Sequence, residues 1–360
     1  MKYIDEFRDR DLCLCLIEKI ESLLGDSEVA IMEVCGTHTM TIFRSGIRTL
    51  LPQSIRLLSG PGCPVCVTPA AYLDQAIALS EIEDVIIATF GDMMRVPGSG
   101  SSLETQRAAG KKIAVVYSPL DALNIAKNNP DKKVVFLAVG FETTSPSVAV
   151  TAIEAKKRKI SNLYLLSAHK RIPPALRLLA KDRDLNVDGF ILPGHVSTII
   201  GINPYLFLAE EYGIPSVICG FEPLDILQGI CMILYQLKEK RAAVEVQYKR
   251  VVKNDGNPGA MALLNKVFIE TDSEWRGLGV IANSGHAMVE EYKELDAKEV
   301  FSLKERPSVE NEGCICGEIL KGRKIPNQCP HFGENCTPYS PLGPCMVSSE
   351  GSCAAYYKYA

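Results

Sequence analysis

Residues 29–38 read Val-Ala-Ile-Met-Glu-Val-Cys-Gly-Thr-His, an apolar run that ends in a cysteine, a glycine and a histidine. A short apolar run with a glycine close behind it is typical of a buried β-strand. Between residue 29 and about residue 220, such runs alternate with helical stretches. This alternation indicates βαβ units, whose strands form a parallel sheet. We therefore predict an α/β fold.

Eight apolar runs are predicted to be strands, and a natural break near residues 118–132 divides them four and four. Two open α/β domains of about 100 residues each match the usual domain size. We assign residues 29–120 to a first parallel-sheet, Rossmann-like domain and residues 121–240 to a second, with a cleft between them. The predicted strands are Val29–Val34, Ile55–Leu58, Val85–Thr89, Ile113–Tyr117, Val134–Val139, Leu163–Leu166, Gly189–Leu192 and Ser216–Cys219.

The rest of the chain is assigned to a third, mixed domain, formed by residues 1–28 together with residues 241–360. Residues 3–25 have the pattern of an amphipathic helix that ends at Gly25. The last part of the chain is rich in cysteine and is predicted to be irregular. We expect a bound cluster to contribute directly to its folding.

Six of the thirteen cysteines lie in the last part of the chain, separated in turn by 1, 12, 6, 8 and 7 residues. Structural zinc sites usually contain cysteines two to four residues apart, a spacing that does not occur here. Widely spaced thiolates suit an iron–sulfur cluster, whose ligands come from separate loops. A cluster together with a redox dithiol would use all six, and zinc or plain disulfides are the alternatives. The six are Cys314, Cys316, Cys329, Cys336, Cys345 and Cys353.

Small, polar and sulfur-containing residues follow the predicted strands directly. The sequence CGTH follows the first strand, SGPGCPVC the second, FGDMMRVPGS the third and PGHVS the seventh. In open parallel sheets, ligands bind outside the carboxyl ends of the strands. We therefore expect both domains to contribute to one cleft, lined by Cys35, His38, Cys63, Cys66, Asp92 and His195.

The motifs at these strand ends allow more than one interpretation. The pair Cys63 and Cys66 is typical of thiol redox chemistry, although a single C-x₂-C is also half of a zinc site. Cys35 with His38 is compatible with a nucleophile–base pair or a soft metal ligand, and an inert buried cysteine is the alternative. The helix predicted after Cys35 would lower the pKa of its thiol. A structural histidine explains His195 equally well.

Composition and charge argue against several classes of protein. The net charge of −4 provides no basic surface for nucleic acid or an anionic membrane. No apolar run approaches the roughly 20 residues that cross a bilayer. The first residues are acidic rather than basic and apolar, so we expect no signal peptide and a cytoplasmic protein. The glycine-rich fingerprints of dinucleotide and P-loop sites are missing, although residues 140–144 could form a turn that holds an anion.

Several long motifs closely resemble those of the HypD family of hydrogenase-maturation proteins. They are MEVCGTHT, SGPGCPVCVTP, TFGDMMRVPGS, VGFETT, PGHVSTIIG, GFEPLDILQG, DSEWRGLG and the ending VSSEGSCAAYYKY. The resemblance extends over residues 1–360 and implies a scaffold that assembles the iron carrying two cyanides and one carbon monoxide of [NiFe]-hydrogenases. It also implies a complex with a small chaperone, HypC, and delivery of cyanide by HypE.

The resemblance implies roles for individual cysteines as well. The family's pattern C-x₁₂-C-x₆-C-x₁₆-C implies four ligands of a [4Fe–4S] cluster, which are Cys316, Cys329, Cys336 and Cys353. Cys314 and Cys345 are left as an auxiliary redox pair. Cys35 is implied to bind the transient iron, which it shares with a cysteine of the chaperone. Met40 stands where some members carry a second histidine, so an imidazole there is not essential to this assignment.

A second class of function shares these features. An iron–sulfur-dependent thiol–disulfide reductase that acts on a partner protein would also need a cluster beside a dithiol. Cys35 weighs against this alternative, because a simple reductase has no use for a third thiol site. We therefore expect an assembly scaffold with thiol and iron–sulfur redox steps.

Overall fold

A computed structural model describes residues 5–182, 184–303 and 312–360. All eight predicted strands are present, each within two residues of its predicted bounds, which confirms the α/β class. A ninth short strand and an antiparallel hairpin follow them. The strands are β1 Val29–Glu33, β2 Ile55–Ser59, β3 Val85–Thr89, β4 Ile113–Val115, β5 Lys133–Ala138, β6 Leu163–Ser167, β7 Gly189–Pro193, β8 Ser216–Cys219, β9 Val244–Val246, β10 Phe268–Trp275 and β11 Gly279–Met288.

The strands form two parallel sheets, in the orders β2-β1-β7-β8-β9 and β4-β3-β5-β6. The chain leaves the first sheet after β2, builds the whole second sheet, and returns to the first at β7. The strands are therefore not divided four and four along the chain, and residue 120 falls between two strands of the second sheet. The strand pairing shows this return to the first sheet. Ile31 of β1 pairs with Gly189 of β7, while Val29 of β1 pairs with Ile55 of β2.

Helices of four to sixteen residues connect the strands. The first helix starts later than predicted: it begins at Arg10, where Asp9 accepts a hydrogen bond from the amide of Leu12, and ends at Leu24 with Gly25, whose φ is 56°, as its cap. Residues 3 and 4 of that prediction, and residues 304–311 of the predicted third domain, lie outside the described residues. The helices are α1 Arg10–Leu24, α2 Gly36–Arg44, α3 Ile47–Leu50, α4 Pro64–Val67, α5 Ala70–Glu81, α6 Leu103–Ala108, α7 Pro119–Asn128, α8 Ser145–Lys157, α9 Ile172–Lys181, α10 Gly194–Ile200, α11 Phe207–Glu210, α12 Pro223–Lys238, α13 Pro258–Val267, α14 Ala297–Val300, α15 Cys316–Leu320, α16 Pro344–Val347 and α17 Ser352–Tyr359.

The largest hydrophobic core joins the two sheets to the cysteine-rich end of the chain. It contains Leu137 of β5 and Leu192 of β7, together with four cysteines, Cys63, Cys66, Cys316 and Cys345. Strands in such sheets are covered on both faces, which is why β1 and β7 are buried at every residue. The cysteine-rich end is therefore packed on the α/β body rather than tethered to it.

The β10–β11 hairpin was not predicted from the sequence. Its strand β10 is buried only at its two end residues and carries mostly polar residues, so no apolar run marks it. Trp275 at the end of β10 is fully buried, donates a hydrogen bond to Ser284 Oγ at 2.8 Å, and stacks on Phe141. The hairpin thereby packs on the carboxyl edge of the second sheet. Among the described helices, none combines the length and the apolar character needed to span a bilayer.

Candidate functional site

Cys35 lies at the carboxyl edge of the first sheet, between β1 and the start of α2. Burial raises the pKa of its thiol to about 12, and the negative charge of Glu350 adds to this rise. Hydrogen bonds from the backbone of Thr37 and His38 stabilise the thiolate and oppose the rise. The start of the helix thus acts in the predicted direction, but burial outweighs it. The expected low pKa is therefore wrong for the free thiol, which is protonated at neutral pH.

Two glycines allow other parts of the chain to approach Cys35 closely. The amide of Gly36 donates a hydrogen bond to the carbonyl of Gly62 at 3.1 Å. A Cβ at Gly62 would lie 2.2 Å from the amide nitrogen of Cys35, and one at Gly36 would lie 2.5 Å from Glu350 Cβ. Thr37 Oγ1 donates a hydrogen bond to Glu350 Oε1 at 2.6 Å. The CGTH motif, the glycine loop before Cys63 and the end of the chain therefore meet at one place.

His38 and His195 lie in the same part of the first sheet and both stack on Phe221, with ring centroids 4.8 Å and 3.8 Å away. His38 is fully buried, and its Nε2 lies 2.9 Å from the carbonyl oxygen of Gly220. That contact assigns the proton to Nε2 and leaves Nδ1 as an acceptor. Burial lowers the pKa of His38 to about 4, so the ring is neutral. His38 is therefore suited to accept a hydrogen bond at Nδ1 rather than to donate one.

Cys63 and Cys66 form a close pair at the two ends of the first turn of α4. Their sulfur atoms are 2.7 Å apart, and both side chains are buried. Cys63 Sγ also accepts a hydrogen bond from the amide of Cys66 and contacts Ser348 Oγ at 3.3 Å. Burial raises the pKa of the Cys66 thiol well above its ordinary value. The geometry fits a dithiol that closes without backbone rearrangement.

Cys345 connects this dithiol with the other cysteines at the end of the chain. Its thiol is close enough to that of Cys66 for each to shift the pKa of the other, and its sulfur lies 2.8 Å from the sulfur of Cys316. Cys63, Cys66, Cys345 and Cys316 therefore form a continuous row of sulfur atoms, which we call the thiol row. The sequence pattern paired Cys345 with Cys314. The contacts instead favour Cys316, the other cysteine of the C-x-C.

The six cysteines at the end of the chain line one small cavity, the tail pocket, of about 20 Å³. No charged side chain lines it. Burial raises the pKa of the Cys314 thiol to about 12 and that of Cys353 further. As they stand, no three His, Cys, Asp or Glu side chains of the described ranges surround a single metal position. The tail pocket is lined by Cys314, Cys316, Ile319, Cys329, Phe332, Cys336, Gly343, Cys345, Met346 and Cys353.

The donor chemistry of the tail pocket fits an iron–sulfur cluster. Sulfur atoms from three separate parts of the chain surround one apolar space, which is the arrangement that such clusters use. The buried thiols have no cationic partner in the lining, so bound iron would supply the charge that holds them as thiolates. The residues present therefore fit the group that the sequence pattern predicts.

The structure places one predicted residue apart and adds others. Asp92 is exposed after β3, in the second sheet, and does not belong to the thiol row.

Glu33, which sequence reasoning missed, is buried one residue before the end of the apolar run. Its Oε1 accepts a hydrogen bond from Thr39 Oγ1 at 2.6 Å, and burial raises its pKa to about 8. A charged residue inside an apolar strand was the available signal. No such signal marked Ser348 or Glu350.

The sequence of the chain was compared with those of known protein families and curated proteins. The model of the HypD family, described as "Hydrogenase formation hypA family", matches residues 11–360. This chain belongs to the HypD family. The match includes Cys35, the thiol row and the tail pocket, so every part of the candidate site lies within the region that the family shares.

Individual HypD-family proteins match over nearly their whole length. The chain is 47% identical to "Hydrogenase maturation factor HypD" of Rhodobacter capsulatus, with 100% of this chain and 98% of the relative covered. It is 43% identical to the protein of the same name in Escherichia coli, with 100% and 98% covered. A third relative, "Hydrogenase expression/formation protein HupD" of Azotobacter chroococcum, is 47% identical, with 100% and 97% covered.

Proposed function

We propose that this chain is a hydrogenase maturation factor that holds, on Cys35, the iron to which two cyanides and one carbon monoxide are added. A HypC-type chaperone would supply a second cysteine to that iron, and a HypE-type protein would deliver cyanide. Family membership supports the general role in maturation. The position of Cys35, at the carboxyl edge of a parallel sheet with backbone amides directed at its sulfur, supports the assignment of the iron.

The surroundings of Cys35 suit the binding of a soft metal cation. The free thiol keeps its proton because it is buried, and a soft metal ion would displace that proton and bind the thiolate. The amides of Thr37 and His38 then stabilise the negative sulfur. The close approach of Gly62 and Glu350 holds the backbone of Cys35 in place while groups are added to the iron. These contacts would hold the sulfur of Cys35 in place as a ligand of the iron.

The tail pocket would hold a [4Fe–4S] cluster, which supplies single electrons when it is bound. The contact between Cys316 and Cys345 at 2.8 Å leaves four other cysteines as its ligands. We therefore assign Cys314, Cys329, Cys336 and Cys353 to the cluster, and replace Cys316 of the sequence-based set with Cys314. Cys316 and Cys345 become the auxiliary dithiol.

The thiol row supports thiol–disulfide exchange between its two dithiols, which a second activity, the reduction of a partner, would also need. If Cys63 and Cys66 are joined as a disulfide, attack by Cys345 on Cys66 releases Cys63 as a thiolate. Attack by Cys316 on the mixed disulfide then releases Cys66 and forms the Cys316–Cys345 disulfide. Two electrons and two protons have moved along the row, so the two dithiols exchange oxidation states without another reactant. This chemistry serves a scaffold that must release its iron, and it is also what a reductase would use.

Infrared spectroscopy of the anaerobically purified complex with a HypC-type chaperone tests the proposal. The wild-type complex should show cyanide and carbonyl stretching bands. Cys35→Ser should lose them while keeping its iron–sulfur absorption, because a hydroxyl is a hard and normally protonated ligand. The matched control is Cys231→Ser, which changes a buried cysteine of α12 away from this site. Bands of wild-type intensity in Cys35→Ser would refute the assignment, and absent bands with disulfide turnover would favour the reductase.

A further inference from the structure

A second cavity, of about 350 Å³, lies between the β10–β11 hairpin and helices α9, α10 and α13. None of its lining residues belongs to the thiol row or the tail pocket. Seven of the twelve lining residues are apolar, and Glu142 of the VGFETT motif lies among them. The cavity is lined by Glu142, Arg171, Pro173, Ile200, Pro204, Met261, Leu264, Asn265, Phe268, Ile269, Glu270 and His286.

Glu142 presents to this cavity a buried carboxyl oxygen that accepts no hydrogen bond from the described residues. Glu142 Oε1 accepts from the amide of Ile172 at 2.9 Å, but Oε2 is buried with no partner among the described residues. Ser167 Oγ donates to the carbonyl of His286, so the nearby Nδ1 of His169 carries the proton that faces Ser167. His169, which does not line the cavity, then has an acceptor without a donor at Nε2. The buried Nδ1 of His286, which does line it, is also without a partner. The two imidazole rings are 6.1 Å apart.

The charges of the lining favour a cation. Arg171 forms an ion pair with Glu270 at 2.6 Å, so its charge only partly offsets that of Glu142. Burial lowers the pKa of His286 to about 4 and lowers that of His169 as well, so both rings are neutral. With Glu142 ionised, the lining carries a formal charge of −1. A buried acceptor without a partner is unfavourable, and a ligand that brings N–H donors would satisfy it.

The same groups do not form a metal site as they stand, since the described residues contain no such arrangement. A planar nitrogen cation fits the lining better than a metal ion does. It supplies several N–H donors in one plane, and its body can lie against the Phe268 ring and the aliphatic residues. An anion, which the turn at residues 140–144 suggested, would meet the carboxyl group of Glu142 instead.

We propose that this cavity binds a small organic cation of the amidinium or guanidinium type, with its N–H groups directed at Glu142 Oε2. The site is separate from Cys35 and does not depend on the assembly function. The guanidinium could belong to a free small molecule or to an arginine side chain of a partner protein, and the chemistry of recognition is the same for both.

Calorimetric titration of the full chain with three probes of one shape tests the proposal. Benzamidinium should bind, neutral benzamide should bind at least tenfold more weakly, and benzoate should not bind. Glu142→Gln should weaken benzamidinium binding about tenfold, because one charge-assisted hydrogen bond is lost. The matched control is Glu290→Gln, which removes the same charge from an exposed side chain outside the lining and should change binding less than twofold. Equal losses in both variants, or equal binding of benzamide, would overturn the proposal.

The pH dependence of binding to the wild-type chain provides a test that does not require a variant to fold. Burial raises the pKa of Glu142 to about 7, so the carboxyl group is mostly protonated at pH 6 and mostly ionised at pH 8. Benzamidinium should therefore bind more tightly as the pH rises through 7. The groups that face Glu142 are Arg171, Tyr205 and His286. Burial raises the pKa of Tyr205 well above its ordinary value and lowers that of His286 to about 4, so neither changes charge between pH 6 and pH 8. Binding that is independent of pH would contradict the role of Glu142.

Two further probes separate the sources of the cation. N-acetyl-arginine methylamide represents an arginine side chain with its backbone, and methylguanidinium represents a free ligand. If the side chain enters from a partner, the arginine probe should compete with benzamidinium at least as well as methylguanidinium does. If the ligand is a free molecule, methylguanidinium should compete and the arginine probe should not. Competition by neither probe would overturn the proposal for guanidinium groups.

Discussion

Cys35 and the tail pocket present cysteine sulfur in two different settings. Cys35 is a single thiol among polar groups: the amides of Thr37 and His38 stabilise its thiolate, and the carboxyl group of Glu350 lies close by. The tail pocket contains six thiols in an apolar lining without a charged side chain. A lone thiolate among directed donors is suited to a ligand that arrives and leaves. Several thiols around an apolar space are suited to a resident group that supplies the missing charge itself.

The two sites also differ in what fixes their shape. Cys35 follows a strand that is buried along its whole length and paired on both sides, so the sheet determines its position. Four of the six cysteines of the tail pocket lie in or beside α15, α16 and α17, which have five, four and eight residues, and Cys329 and Cys336 lie in the loop between α15 and α16. Helices this short are not stable alone. The tail pocket should therefore depend on its bound group for stability, whereas the Cys35 site should not.

The largest expected effect follows from this contrast. Cys329→Ala and Cys353→Ala should each lose most of the bound iron and sulfide, and amide exchange should accelerate over residues 312–360, because metal binding contributes to folding there. Cys35→Ala should keep both the iron–sulfur content and the slow exchange. Iron and sulfide analysis with hydrogen-exchange mass spectrometry on anaerobic protein measures both. A Cys353→Ala protein with unchanged exchange in this segment would show that the tail folds without its cluster.

The sequence predicted the elements of this fold better than their arrangement. Apolar runs located all eight strands, because buried parallel strands are apolar throughout. Their order could not be predicted, since pairing β1 with β7 depends on contacts between residues that are about 160 positions apart. The hairpin was missed because β10 carries polar residues on its exposed positions. Propensity and periodicity depend on residues that are close in the sequence. The order of strands in a sheet and the packing of a half-exposed hairpin depend on residues that are far apart in it.

The candidate site shows the same division. Sequence reasoning identified Cys35, Cys63 and Cys66 because each lies beside a glycine or a C-x₂-C at a strand end. It could not predict whether Cys314 or Cys316 contacts Cys345. Both cysteines belong to the same C-x-C, and only the orientation of their side chains in the fold distinguishes them. The contact of Glu350 with Thr37, 313 residues away in the chain, is likewise a property of packing alone.

The next largest effect would test which cysteine of the C-x-C, Cys314 or Cys316, is a ligand of the cluster. Cys316→Ala should retain most of the iron and sulfide, because it removes a member of the thiol row, whereas Cys314→Ala should lose them. Mild oxidation of wild-type protein, followed by alkylation and mass spectrometry, should identify the Cys63–Cys66 and Cys316–Cys345 disulfides, as the separations of 2.7 Å and 2.8 Å suggest. Loss of the cluster in Cys316→Ala, with its retention in Cys314→Ala, would restore the assignment made from the sequence pattern.

The smallest effect tests the rigidity of the Cys35 site without removing any sulfur. Gly62→Ala should destabilise the protein by about 1–3 kcal/mol, the usual range for overpacking. The new Cβ would lie 2.2 Å from the amide nitrogen of Cys35 and 2.4 Å from its Cα, and these backbone atoms cannot move aside as the end of a flexible side chain can. Gly91→Ala is the matched control, because it also follows a strand but its Cβ would only approach Val115 Cγ1 at 3.7 Å. Urea unfolding measures the two stabilities, and the iron–sulfur content of Gly62→Ala should stay at the wild-type value. If Gly62→Ala were as stable as Gly91→Ala, the sheet alone would position Cys35 and the close approach of the glycine loop would have no part in it.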